Sequence, residues 1–165
     1  MTHPALSGMF HTGIIVFDLE IAMRNMSEAF GFEWANPIVS GGEIHVLGGG
    51  ISYRESRVTY SLEGPHHIEL IEQIDNTAWQ KATGGPMIHH LGFSVQNLAA
   101  EVARLEALGY RMEFSGMGDS KSTSRVSYLH DYNGGLWIEL VDATLHQEID
   151  EWINSGEPPR FASDR

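Results

Sequence analysis

The chain has 165 residues, 42% of them hydrophobic and 19% charged, with a formal net charge of −12 and no cysteine. Such a composition is globular and long enough to bury a real core. It excludes thiolate chemistry and disulfides, and its acidity argues against nucleic acid and anionic membrane surfaces, both of which require basic patches.

No apolar stretch reaches transmembrane length, and Met1-Thr2-His3-Pro4 lacks the basic start of a signal peptide, so a cytoplasmic protein is expected. Residues 1–8 read as a lead-in and residues 9–16, apolar and β-branched, as a strand. Asp18 can cap a helix whose apolar face carries Leu19, Ala22, Met23, Met26, Ala29 and Phe30, with Gly31 as its stop. Glu43 to Leu47 and Arg57 to Leu62 read as strands, punctuated by Gly41-Gly42 and Gly48-Gly49-Gly50. Residues 66–73 form a further strand, on which His67, Glu69 and Ile71 share one face and Ile68 and Leu70 the other.

Residues 74–86 connect two halves, with Gly84-Gly85-Pro86 as the break. The plan then repeats: a strand over His90 to Val95, an Asn97 cap, and a helix burying Leu98, Val102, Leu105 and Leu108 before Gly109. Residues 110–122 read as a strand and a polar loop. Arg125 to His130 is a strand, Asn133-Gly134-Gly135 a turn and Leu136 to Val141 the last strand, with Trp137, Glu139 and Val141 on one face. Leu145, Ile149, Trp152 and Ile153 recur at helical spacing within residues 143–155, and Glu157 to Arg165 reads as a tail.

The halves echo each other residue by residue. His11 matches His90, Gly13 matches Gly92, Val16 matches Val95 and Leu19 matches Leu98 at one common offset, and His67-Ile68-Glu69-Leu70 echoes Trp137-Ile138-Glu139-Leu140. A duplicated module related by a twofold axis would bring two imidazoles and two carboxylates to one point, a donor set suited to a borderline divalent ion with open positions. Glu69 and Glu139 each interrupt an apolar strand, where a carboxylate is costly unless paired or coordinated. A solvated strand face explains any one of the four alone; the duplication favours His11, Glu69, His90 and Glu139 as metal ligands.

Other candidates are weaker. His66, His67 and His89 flank the four and could support them or point away, and His130 could line a pocket. Trp34, Trp79, Trp137, Tyr128 and several methionines could build an apolar pocket or simply fill the core. Gly48-Gly49-Gly50 lacks the lysine and following helix of a phosphate loop, and no serine sits in a nucleophile elbow.

The motifs His11-Thr12-Gly13-Ile14-Ile15-Val16-Phe17-Asp18-Leu19, Phe30-Gly31-Phe32-Glu33, His89-His90-Leu91-Gly92-Phe93 and Gly135-Leu136-Trp137-Ile138-Glu139-Leu140 resemble the vicinal oxygen chelate superfamily of glyoxalases, bleomycin-resistance proteins and dioxygenases. The resemblance covers roughly residues 9–142 and is closest in pattern to methylmalonyl-CoA epimerase-like and glyoxalase I-like members. It implies an α+β fold in which two βαβββ modules, residues 9–75 and 87–142, form a cupped mixed sheet, a half-barrel with helices outside. Together with the C-terminal helix and tail, residues 143–165, they would make a single domain over residues 1–165. It implies one divalent metal (Co, Ni, Zn, Mn or Fe) on His11, Glu69, His90 and Glu139, a small-molecule substrate, and a homodimer.

The resemblance further implies a proton-transfer isomerase, epimerase or lyase acting on a small carbonyl compound through a metal-stabilised enolate, with Glu139 or Glu69 moving the proton. An Fe(II) ring-cleaving dioxygenase and a non-catalytic drug-binding protein are the alternatives on the same scaffold. Two departures stand out: Asn25-Met26 occupies the usual place of two aromatics, and residues 35–56 are longer than in a minimal epimerase, with Glu55 the poor match for that enzyme's further glutamate.

Overall fold

The structure, a computed structural model, describes residues 6–46, 50–74, 87–116, 124–131 and 137–159. The expected Gly48-Gly49 break, the 75–86 connection with Trp79, the polar loop beyond residue 116, the Asn133-Gly134-Gly135 turn and the end of the tail lie outside those residues. The described elements run β1 (Leu6–Val16), α1 (Leu19–Phe30), β2 (Ile38–Val46), β3 (Gly50–Tyr60), β4 (His67–Glu72), β5 (Met87–Val95), α2 (Leu98–Ala107), β6 (Arg111–Gly116), β7 (Val126–His130), β8 (Trp137–Asp142) and α3 (Ala143–Ser155). Among the described residues no helix is long and apolar enough to cross a membrane.

The expected open half-barrel of two βαβββ modules is overturned. The eight strands close into a barrel in the order β1-β4-β3-β2-β6-β7-β8-β5. The reason lies in residues 38–60, where the sequence suggested short, glycine-broken strands. β2 runs straight through Gly41 and Gly42, whose φ values of 152° and 140° suit glycine and few other residues. It continues to hydrogen-bond β6, pairing Ile44 with Gly116 and Val46 with Phe114. An edge strand left open would expose a row of unpaired backbone groups; pairing removes it. Gly116 makes the approach possible, since a Cβ there would stand 2.9 Å from Ile44 Cγ2.

The chain groups into two compact units, one of Met1–Phe10, Gly42–Arg54 and His90–Gln147, the other of His11–Gly41, Glu55–His89 and Glu148–Arg165. In the second unit, the outer side chains of β1 and β4 pack on α1: Val16, Leu19 and Leu70 are buried, with Ile14, Ala22, Met23, Met26, Trp34 and Ile68 against them. Asp18 caps α1 by accepting from Ile21 N–H at 2.8 Å, and Gly31 closes it in the left-handed conformation, as the sequence predicts. Phe30 departs from the predicted stripe. It is 75% exposed, and the Trp34 indole fills that side of the helix by donating to Met23 O and Ser27 Oγ.

The first unit repeats the logic. Val95, Leu98, Leu105, Leu129, Ile138 and Leu140 form its buried cluster under α2, which Asn97 caps through Ala100 N–H at 3.0 Å. Leu108, placed on the same stripe by the sequence, falls one residue beyond the helix and is exposed. The apolar face of α3 is covered within the chain: Leu145, Ile149, Trp152 and Ile153 are all buried. In the second unit Trp152 donates to Asn36 O at 3.2 Å. The close contact at Gly116 is testable. Gly116→Val should lower the unfolding free energy by about 1–3 kcal/mol in urea titration, the scale of forced overpacking, with the slope unchanged.

Candidate metal centre

In the second unit β1 and β4 run parallel with His11 opposite His67 and Gly13 opposite Glu69. Alternation then puts His11, Gly13, Glu69 and Ile71 on the face turned away from α1. His11 is fully buried and Glu69 nearly so, and His11 Nε2 lies 3.6 Å from Glu69 Oε2. Tyr60, directly opposite Glu69 on β3, donates its hydroxyl to Glu69 Oε1 at 2.9 Å and meets the His11 ring edge-on at 5.4 Å. Trp152 packs edge-on against Tyr60 from α3 at 5.6 Å.

The first unit carries the same arrangement on different strands. β5 and β8 are parallel, with His90 opposite Trp137 and Gly92 opposite Glu139. His90 Nε2 lies 3.3 Å from Glu139 Oε2, both groups buried. Tyr128 stands opposite Glu139 on β7 and meets the His90 ring edge-on at 5.1 Å. In each unit a glycine sits beside the glutamate on the parallel neighbour, so no side chain there competes with the carboxylate for space.

His11, Glu69, His90 and Glu139 each offer one ligand atom, and these atoms all lie within 4.8 Å of one another. The four residues singled out by the repeat are thus brought together. Two imidazole nitrogens and two carboxylate oxygens, all buried, are a donor set that fits a divalent metal.

The remaining candidates are sorted by strand direction. His89 is buried on the opposite face of β5 from His90. His66 is exposed, its Nε2 2.9 Å from Thr12 Oγ1. His67 shares the Glu69 face, but its Nδ1 is engaged with Ser61 O at 2.7 Å. His130 stacks on Trp137 at 4.8 Å. Trp34 is spoken for by α1. A cavity of about 460 Å³, lined by residues including Leu98, Val102, Met112, Ser115, Ser127 and Asp142, opens on the α2 side of β6–β8, the side opposite Glu139.

Tyr60 was not singled out from the sequence, although a signal exists: Arg57-Val58-Thr59-Tyr60 echoes Arg125-Val126-Ser127-Tyr128. Arg54 and Phe114 were missed as well. Phe114 pairs with Tyr128 across β6 and β7 and stacks on it at 4.4 Å, and the Arg54 guanidinium lies 5.4 Å from the Phe114 ring centre. Burial pulls the Arg54 pKa below its usual value to about 10, while the neighbouring Tyr128 pulls it up.

These features define a class. Residues 10–128 match the glyoxalase/bleomycin resistance protein/dioxygenase superfamily, and the chain belongs to it. Among solved structures it is similar to methylmalonyl-CoA epimerase from Mycobacterium tuberculosis, with a TM-score of 0.63 and 22% identity over 89% of this chain and 96% of that one. It is also similar to a Streptomyces coelicolor methylmalonyl-CoA epimerase variant in complex with 2-nitronate-propionyl-CoA, with a TM-score of 0.62 and 22% identity over 84% of this chain and 96% of the other. A methylmalonyl-CoA epimerase in complex with methylmalonyl-CoA and NH4+ gives a TM-score of 0.60 at 22% identity, over 84% and 96%. No curated protein matches the sequence.

Removing the Tyr60 hydroxyl takes a donor from a buried carboxylate. Tyr60→Phe should cost about 1–3 kcal/mol of stability in urea titration at neutral pH.

Proposed function

We propose that the chain is a divalent-metal-dependent enzyme that moves a proton next to the carbonyl group of a small molecule, as an isomerase, epimerase or lyase. The observation that carries this reading is the gathering of His11, Glu69, His90 and Glu139 ligand atoms within 4.8 Å. A buried set of this kind suits Co, Ni, Zn, Mn or Fe, and the likeness to epimerase structures supports the same direction. A bound divalent ion would supply Lewis acidity for the negative charge that develops on a carbonyl oxygen as the α-proton leaves.

The protein's own residues do the rest. His11 and His90 present Nε2 atoms from strands whose other faces are packed on helices, so their positions are rigid. Tyr60 orients Glu69 by holding Oε1. Either carboxylate could accept and return the proton from the edge of the ion, and Glu139, fixed in direction between Ile138 and Leu140 on β8, is the one we assign as the base. The buried surroundings exclude bulk water from the transfer. We further propose a cytoplasmic homodimer, for which the exposed Phe17 and Phe30 side chains offer apolar contact surface; sedimentation at several concentrations reads the assembly.

Protein purified without added metal should contain about one equivalent of divalent ion per chain by elemental analysis. His11→Ala and His90→Ala should each lose most of it, and full retention in both would remove the metal from the proposal.

For the chemistry, solvent-deuterium exchange into carbonyl compounds is the direct assay. Glu139→Gln should slow exchange by roughly two to four orders of magnitude at saturating metal, and Glu69→Gln by less. The reverse ranking would move the base to Glu69. Oxygen consumption in place of exchange would indicate a ring-cleaving dioxygenase.

A further inference from the structure

The two units repeat the stretch that follows their first helix. Ala29-Phe30-Gly31-Phe32-Glu33-Trp34 is echoed by Ala107-Leu108-Gly109-Tyr110-Arg111-Met112, and Thr59 by Ser127. In the second unit this place is filled. The Trp34 indole packs on the α1 cluster, and Thr59, fully buried opposite Leu70, donates to Ala35 O at 2.6 Å. In the first unit Met112 stands for Trp34 and Ser127 for Thr59, and both line the cavity of about 460 Å³ on the α2 side of β6–β8.

Packed interiors leave few voids larger than a water molecule, and a cavity of about 460 Å³ falls in the range of small-molecule sites. Its lining is divided. Leu98, Val102 and Met112 form an apolar wall. Ser115 and Ser127, paired across β6 and β7 and each only 2% exposed, form a hydroxyl floor. Ser127 Oγ has no hydrogen-bond partner among the described residues, and Ser115 Oγ accepts a long bond of 3.3 Å from Ser124 Oγ. A buried hydroxyl without a protein partner calls for one from outside the chain.

Asp142 and Glu106 add charge to this lining, and among the described residues no lysine or arginine lines it. Asp142 Oδ1 accepts from Thr144 N at 2.9 Å and Thr144 Oγ1 at 2.5 Å, and the other carboxylate oxygen makes no hydrogen bond among the described residues. The Arg125 guanidinium reaches Thr144 Oγ1 at 3.3 Å. Such a lining disfavours anions, which the net charge of −12 also repels. An ammonium group carries three donors and no acceptor, the complement of a carboxylate beside two hydroxyls.

We propose that this cavity is a second binding site, for a small organic ammonium ion. Its N–H groups meet Asp142, Ser115 and Ser127, and its alkyl body lies on Leu98, Val102 and Met112. The site is independent of the proposed metal centre: Ser127 and Leu140 face α2, whereas Tyr128 and Glu139 face the other way.

The test uses the zinc-loaded full-length protein and three probes, n-hexylammonium, 1-hexanol and hexanoate. Amide NMR titration should show hexylammonium shifting residues of α2, β6 and β7. It should bind about five- to tenfold more tightly than hexanol, the scale of one charge-assisted hydrogen bond, and hexanoate should shift none of them. Asp142→Asn, which keeps an oxygen for the Thr144 cap, should bring the two affinities together. Met112→Trp, which installs the residue that fills the other unit, should abolish binding of both. Ser127→Ala, which leaves the packing alone, should weaken hexylammonium by about threefold. Equal binding of amine and alcohol by the wild type, a preference that survives Asp142→Asn, shifts confined to residues around His90 and Glu139, or no shift at millimolar probe each overturns the assignment.

Discussion

Two carboxylates and two imidazoles buried within a few ångströms of one another are the constraint on which this structure turns. Ionised carboxylates repel each other and lose hydration when buried, so a fold that gathers them must supply compensation. Part of it is visible: each glutamate lies against a histidine, and Tyr60 donates to one of them. The four are carried on the middles of strands and not on loops. Their directions are therefore fixed by backbone pairing, and the arrangement survives without depending on flexible segments.

That placement demands strands with two different characters. The outer faces of β1 and β4 are aliphatic and stitched to α1, and those of β5 and β8 to α2. The inner faces carry the polar groups. Because the period of a strand is two, a slip of one residue would bury Ile68 and Leu70 where Glu69 belongs and turn the carboxylate onto the helix. The hydrophobic clusters thus act as the register lock for the chemistry. Parallel pairing of β1 with β4 and β5 with β8 completes the lock by setting Gly13 and Gly92 beside the glutamates.

The duplication made much of this legible. His11, Glu69, His90 and Glu139 could be read because each occurs twice in the same local context, and the Asp18 and Asn97 caps because capping is local chemistry. Barrel closure was not legible. It depends on β2 reaching β6, a long-range pairing enabled by Gly116, and the glycines at 41 and 42 looked like breaks when they carry a strand through positive φ values. Arg54 and Phe114 escaped for the same reason: their proximity depends on which strands become neighbours, and no repeat marks them. Phe30 and Leu108 failed at helix ends, Phe30 as the last residue of α1 and Leu108 one residue beyond α2.

Tyr60 is held between Glu69 and the indole of Trp152, so the C-terminal helix reaches the carboxylate through a single ring. A protease that clips ahead of Trp152, or a bulky fusion partner that levers the helix away, would release that ring without touching any of the four acidic and imidazole groups. A sample could then keep its full ligand complement and still be catalytically altered, which makes the integrity of the last turns of α3 a property to verify by mass spectrometry whenever preparations of this protein are compared.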